Sequence, residues 1–266
     1  MKGKGKVVEI NEQFGVQTVD LGARVLSALA ELGGEASLAD LARSTGLARA
    51  KLHRYLVSLS RAEYVEQDSM TSHYRLGGEA LRVGLVALQR VDVVDLGTPI
   101  LRSLAEEHDQ TALLAVWGTG GPTIVRWFES RELVTVNVRV GSLMPLTRSA
   151  TGRVFAAYMP QQVIQPWIKR ELASNAKKYP DISTVEAMNK VVGETRTNGL
   201  GHVQGTMLPG ILSLSAPVFN AQNELAAAIT MLGPVGAFDD SPTGPLGVAL
   251  TSAANRLSRR LGMPDR

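Results

Sequence analysis

The chain has 266 residues, 44% of them hydrophobic and 20% charged, with a formal net charge of +3, an ordinary globular composition with room for two domains. It contains no cysteine, which excludes disulfides, thiolate metal sites and a cysteine nucleophile. No apolar run approaches the ~20 residues that span a bilayer, and no apolar signal core follows the basic start, so a cytoplasmic protein is expected.

Residues 1–17 are polar and glycine-bearing and are expected to form a flexible basic arm. There Lys2, Lys4 and Lys6 either touch phosphates or stay solvated. The first periodic segment is Thr18 to Leu32, with Leu21, Val25, Leu26, Leu29 and Leu32 at helical spacing and Gly33-Gly34 as a stop. Ser37 then caps a short helix over Leu38 to Arg43, with Asp40 placed as in a capping box. A turn at Ser44-Thr45-Gly46 leads to a third helix from Ala48 to Ser60, whose buried stripe is Leu52, Leu56 and Leu59. Two helices joined by a short glycine turn make a helix-turn-helix pattern.

Charge supports that pattern. From Arg43 to Arg61 there is no Asp or Glu, while Arg43, Arg49, Lys51, Arg54 and Arg61 are basic. A recognition helix needs polar and basic side chains at its N-terminal end to reach base edges and phosphates. Lys51, His53 and Arg54 are the candidates there, with Arg49 as a backbone contact and Ala50 small enough to approach a thymine methyl. An ordinary helical hairpin with a solvated basic face is the alternative. Two short strands follow, Glu63–Glu66 and Tyr74–Leu76, with a polar turn between them. They suggest a wing, on which Arg75 is a further candidate for DNA and His73 either a contact or an idle surface group.

The segment from Gly78 to Val91 is helical with Leu81, Leu85, Val86 and Leu88 on one stripe, suited to packing against a second copy. A helix from Leu96 to His108 opens the second domain. Strands are expected at Ala112–Trp117, Thr123–Phe128, Val134–Val140, Gly201–Gly205, Leu212–Phe219 and Leu225–Leu232. Helices are expected at Ser149–Tyr158, Gln161–Leu172, Thr184–Asn198 and Pro245–Leu261. The mixture without strict alternation predicts an α+β class. The domains are therefore set at 18–77 for a winged helix-turn-helix, 78–94 for a linker and dimerisation helix, and 95–266 for an α+β domain.

Within the second domain the helix start Ser149-Ala150-Thr151-Gly152 is the candidate anion site, because helix N-termini present unpaired N–H groups and small residues admit close approach. Ser149 acting only as an N-cap is equally consistent. Trp117, Trp127, Phe128, Met144, Leu146 and Met207 are candidate walls, of which about two or three would line a cavity and the rest be core. No nucleophile elbow, zincin motif, phosphate loop or dinucleotide fingerprint occurs, and the four histidines lack metal-ligand spacing. No cofactor or metal is called for. A regulator is expected rather than an enzyme, the alternative being a small-molecule-processing enzyme with an accessory nucleic-acid-binding domain.

Several local strings, in this order across residues 18–262, resemble the IclR family of transcription regulators. They are Leu38-Ala-Asp-Leu-Ala-Arg-Ser-Thr-Gly-Leu47, His53-Arg54, Tyr64-Val-Glu-Gln-Asp68, Tyr74-Arg-Leu-Gly77, Pro145-Leu146, Gly152-Arg153, Pro209-Gly210 and Ala216-Pro217-Val218-Phe219. The resemblance implies a linker helix joining the winged helix to a GAF-like α/β effector-binding domain. It also implies self-association as a dimer or dimer of dimers, double-stranded operator DNA as partner, and ligand contacts at Ala150 and Thr151. Repression is implied by the same analogy. The chain departs from the family at Ala50-Lys51, where Ser-Thr is usual. It departs again over Val203 to Leu208, which lacks the usual acidic residues, at Ser213 in place of a cysteine, and at Thr230 and Leu232 in place of two serines. These departures make the expected pocket, lined by Met144, Leu146, Gln204, Met207, Ser213, Thr230 and Leu232, less acidic and more apolar. An organic acid with an apolar or aromatic body is the expected effector.

Overall fold

The computed structural model describes residues 15–88, 92–130, 138–175 and 182–264. The expected basic arm, except Gly15 to Gln17, the end of the linker helix at 89–91, and the first part of the strand expected at 134–140 lie outside the described residues. The chain divides into two compact units, residues 1–90 and 91–266. Among the described residues no helix is long and apolar enough to cross a membrane.

In the first unit, helix α1 (Gln17–Glu31) turns Val25, Ala28 and Leu29 inward at three- and four-residue spacing. It ends where Gly33 and Gly34 take φ of 90° and 86°, values that suit glycine. Strand β1 (Glu35–Ala36) follows, a two-residue strand absent from the sequence expectation. Helix α2 (Leu38–Thr45) is capped by Ser37, whose Oγ accepts from the Asp40 N–H at 3.2 Å. It runs two residues past Arg43, because the buried Thr45 hydroxyl donates to the Leu41 carbonyl at 2.7 Å and only Gly46, at φ 68°, stops it. Helix α3 (Arg49–Arg61) buries Leu52 and Leu56, with Leu59 partly buried. Strands β2 (Val65–Gln67) and β3 (Tyr74–Leu76) form the wing, and β1 joins them in the order β1-β3-β2. One core of Val25, Leu29, Leu41, Leu52, Leu56, Val65 and Tyr74 unites these elements. Helix α4 (Gly78–Leu88) closes the unit with Leu81, Val83, Leu85 and Val86 exposed.

The second unit is a five-stranded antiparallel sheet with helices on both faces. Helix α5 (Val93–His108) starts three residues ahead of expectation, because the Asp92 carboxylate caps the N–H groups of Val94 and Asp95. The strands are β4 (Thr111–Gly118), β5 (Gly121–Phe128), β6 (Gly201–Gln204), β7 (Ile211–Phe219) and β8 (Leu225–Pro234), in the order β5-β4-β8-β7-β6. Helices α6 (Ala150–Tyr158), α7 (Gln161–Asn175) and α8 (Val185–Asn198) lie between β5 and β6 in sequence, and α9 (Pro245–Arg260) ends the chain. Residues 138–140, at the end of the strand expected over 134–140, are not in a strand.

Strand alternation divides the core. Ala112, Leu114, Leu212, Leu214, Ala227, Ile229 and Met231 pack with Leu101, Leu104, Leu250 and Leu257 of α5 and α9. Leu113, Ala115, Ala228 and Leu232 pack with Val154, Phe155, Ile164, Ile168 and Met188 of α6, α7 and α8. The same two-residue period puts Ser213, Ser215 and Thr230 on the α6 side, with Ser213 paired to Leu232 and Ser215 to Thr230 across β7 and β8.

Candidate functional site

Two places gather the candidate residues, one in each unit. In the first, burial of Leu52 and Leu56 turns Arg49, Ala50, Lys51, His53 and Arg54 to the surface. Among the described residues no carboxylate pairs with Arg49, Lys51 or Arg54, whereas Arg43 is 3.1 Å from Asp40. The His53 Nδ1 lies 3.5 Å from the Tyr74 hydroxyl, so this ring leans on the wing. Arg75 differs from the α3 cations. Its guanidinium donates to Glu66 through Nε and Nη2, at 3.3 and 3.2 Å, because β2 and β3 set the two residues opposite each other. The wing's other candidate, His73, has its Nδ1 3.3 Å from Glu35 of β1. At the wing tip the N–H groups of Thr71 and Met70 donate to Asp68 and hold its carboxyl below the usual range. The wing therefore carries carboxylates beside its candidates, whereas the start of α3 presents cations with no carboxylate partner among the described residues.

The second place is a cavity between the start of α6 and the sheet. It is lined by Met144, Arg148, Ser149, Ala150, Thr151, Met207, Ser213, Thr230 and Leu232, together with Leu113, Trp127, Val138, Val203, Leu208 and Ile211. Counting its open mouth it holds about 450 Å³, and its walls stand close enough to form a narrow slot. Ser149 caps α6. Its Oγ accepts from the Gly152 N–H at 2.9 Å and donates to the Pro145 carbonyl at 2.7 Å. The cap leaves the N–H groups of Ala150 and Thr151 without an acceptor among the described residues. The Nε of Arg148 is buried, so cationic character also reaches this end of the slot.

Three expected lining residues lie elsewhere. Leu146 is 3% exposed within the α6–α8 core, since its own N–H is drawn to Glu171 of α7 at 2.7 Å. Gln204 sits at the exposed end of β6, where its side chain donates to Asp240 at 2.6 Å. Burial works against the Asp240 carboxylate, yet hydrogen bonds from Gln204 and His202 bring its pKa below the ordinary value. Gly152 lies behind the cap, and a Cβ there would stand 2.0 Å from the Pro145 carbonyl oxygen. Of the six candidate walls, Trp127, Met144 and Met207 line the cavity. Trp117 meets Phe155 at a tilt and Trp167 edge-on, and Phe128 lies under Arg102. Leu113, Val138, Val203, Leu208 and Ile211 were missed; Leu113, for one, lines the cavity through its cross-strand pairing with Thr230. Among the described residues no His, Asp and Glu cluster could hold a metal ion.

Comparison with known proteins decides the class. Residues 18–69 match the IclR helix-turn-helix domain, and residues 85–259 match the family described as bacterial transcriptional regulator IclR C-terminal. The chain belongs to the IclR family. It is 25% identical to the transcriptional repressor IclR of Escherichia coli over 249 residues, covering 93% of this chain and 90% of that protein. It is 30% identical to the glycerol operon regulatory protein of Streptomyces griseus, covering 93% and 97%. The crystal structure of Pseudomonas aeruginosa HmgR superimposes with a TM-score of 0.82 at 37% identity, covering 94% of this chain and all of that one. This IclR-family chain is thus a DNA-binding transcriptional regulator, not an enzyme. Its strings have physical content. Gly152 accommodates the carbonyl of Pro145, and the largely buried Arg153, its pKa lowered by that burial, donates to the carbonyls of Thr147 and His202. Pro145-Leu146 and Gly152-Arg153 therefore build one joint that holds the start of α6 against β6.

Proposed function

We propose that this IclR-family regulator represses catabolic genes and is released from its operator by an organic acid with an apolar or aromatic body. In this reading Lys51, His53 and Arg54 read the major groove and Arg49 and Arg75 touch the backbone. Two copies associate through the exposed stripe of α4. Repression and gene class follow the relatives, one named a transcriptional repressor and another a glycerol operon regulatory protein.

The observation that carries the effector class is the polarity of the slot. Donors converge at one end, from the amides of Ala150 and Thr151 and from Arg148, while Leu113, Trp127, Met144, Met207, Ile211 and Leu232 supply apolar wall. Admitting a ring requires the walls to part, and Met144 and Met207 are the side chains best suited to it, being unbranched and conformationally adaptable. Burying that ring favours a larger acid over a two-carbon one, since apolar burial contributes ~25 cal/mol per Å². Fluorescence anisotropy on the chain's own upstream DNA, titrated with aromatic acids, their amides and glyoxylate, tests the reading. Aromatic carboxylates are expected to release DNA where their amides do not. Thr151→Asp, which sets a negative charge beside the ligand carboxylate, is expected to abolish release while leaving DNA affinity unchanged. Equal potency of the amides removes the carboxylate from the mechanism, and greater potency of glyoxylate removes the apolar slot.

A further inference from the structure

Three hydroxyl side chains run in line from the cavity wall into the sheet. Thr151 Oγ1 and Thr230 Oγ1 lie 2.7 Å apart. Thr230 Oγ1 donates to Ser215 Oγ at 2.8 Å, and Ser215 Oγ donates to the Ile229 carbonyl oxygen at 3.3 Å. All three are buried, at 1%, 2% and 0% exposure.

Each hydroxyl has one proton to give and lone pairs to receive. The carbonyl at the far end can only accept, so the Ser215 proton is directed to it. Thr230 then donates to Ser215, and its oxygen is left to accept from Thr151. Proton order along the chain is set from inside the sheet outward. Reversing it would give up the bond to Ile229 and leave the Thr151 proton facing a largely apolar slot with no acceptor paired to it among the described residues, which a buried polar group resists. Toward the cavity, Thr151 and Thr230 therefore present lone pairs and no proton.

The other polar groups of the lining do not duplicate this. Arg148 and the amides of Ala150 and Thr151 only donate. The Ser149 hydroxyl is committed to Pro145 and Gly152. Ser213 has no partner among the described residues and can turn either way. The slot thus has a donor end at the start of α6 and, one side chain away, a fixed acceptor pair. A bare carboxylate satisfies the first and leaves the second empty.

We infer that the effector is an acid carrying a second group, a hydroxyl or amine, whose O–H or N–H donates to the Thr151–Thr230 pair. Ser215, which does not line the cavity, sets that preference as a positioning residue by fixing the proton order. This rests on the reading of the slot as an acid-binding effector site. It adds a requirement that apolar area alone does not impose.

Calorimetry on the full chain tests it with benzoate, the three monohydroxybenzoates, and the fluoro and methoxy counterpart of each. At least one hydroxy isomer is expected to bind about tenfold or more tightly than benzoate and than its own fluoro and methoxy counterparts, the range for one satisfied buried donor. In Ser215→Ala, Thr230 is free to donate to Thr151, whose proton then turns to the cavity. The preference is expected to fall below about threefold while benzoate binds no more weakly, the change expected when one hydrogen bond reverses. Ser215→Thr, which keeps the hydroxyl, should restore the preference. Thr151→Val should remove it and decides the matter if Ser215→Ala fails to fold. Equal binding of hydroxy and fluoro acids to the wild type overturns the inference, as does an undiminished preference in a folded Ser215→Ala or Thr151→Val. Met207→Trp, which fills the slot, separates this from failure of the underlying site. If the acids bind that variant as they bind the wild type, or if none binds the wild type, the site reading falls and the inference with it. If the variant loses binding but the wild type ignores the hydroxyl, only the inference falls.

Discussion

Lys51 and Arg54 sit on the exposed face of α3 with no carboxylate paired to them among the described residues, while Arg75 is held by Glu66 at 3.2 Å. A cation without a partner loses nothing within the protein when it moves to a phosphate or a guanine edge, whereas Arg75 must exchange one anion for another. Arg54→Ala is therefore expected to weaken operator binding by about 1–3 kcal/mol, and Arg75→Ala by clearly less. Glu66→Gln, which releases Arg75, should strengthen binding and steepen its salt dependence, since each newly neutralised phosphate releases counterions. Anisotropy titrations between low and moderate salt read both, and an equal loss for Arg54→Ala and Arg75→Ala would refute the distinction. Steric contact governs a second residue. A Cβ at Gly152 would meet the Pro145 carbonyl oxygen at 2.0 Å and the Leu146 Cα at 2.6 Å, both backbone. Gly152→Ala must therefore displace the loop that carries Arg148 and Ser149. Its cost is expected to be on the order of 1–3 kcal/mol, as for other overpacked sites, read as a lower denaturation midpoint together with lost effector response. An unchanged midpoint would mean that the joint yields freely.

At the scale of elements, α4 stands out because its described apolar side chains are left uncovered. Leu81, Val83, Leu85 and Val86 are 64%, 42%, 50% and 49% exposed, and such a stripe on one helix suits a second copy. Leu85→Glu is expected to shift sedimentation from dimer to monomer and to lower operator affinity, because paired modules are needed to span two half-sites. A variant that stays dimeric would move the interface elsewhere. That helix was legible in sequence from its spacing, and so were the Ser37 and Ser149 caps, which depend on local backbone geometry. Strand β1 was not. Two residues carry no period, and only the distant pairing of Ala36 with Tyr74 makes them a strand. The cavity divides in the same way. Ser149 and Thr151 were visible from a helix start, and Ser213 and Thr230 only through the comparison with the family's pattern. Leu113 and Ile211 line it through sheet register, and Gln204 is turned out by Asp240, thirty-six residues away, a partner no local pattern discloses.

Across the whole molecule, the two compact units must exchange free energy if an acid in one is to release DNA from the other. Thermodynamic linkage constrains that exchange: whatever factor the acid takes from operator affinity, the operator must take from acid affinity. A useful regulator needs about 5–150-fold, or 1–3 kcal/mol. The full chain is therefore expected to bind its acid that much more weakly when saturated with operator, by a factor equal to the loss of DNA affinity at saturating acid. Paired titrations, calorimetry of the acid with and without DNA and anisotropy of the DNA with and without acid, measure the two factors independently. The acid alone should also raise the unfolding free energy, by about 2.7 kcal/mol at a hundred times its Kd, because the slot exists only in the folded chain. Ser215→Ala adds a discriminating case. It levels the preference for a hydroxy acid over benzoate without touching α3, so DNA affinity in the absence of acid should match the wild type while benzoate releases the operator about as well as the hydroxy acid does. Identical acid affinity for free and operator-bound protein, together with a normal stability shift, would mean that the slot binds a ligand without governing transcription.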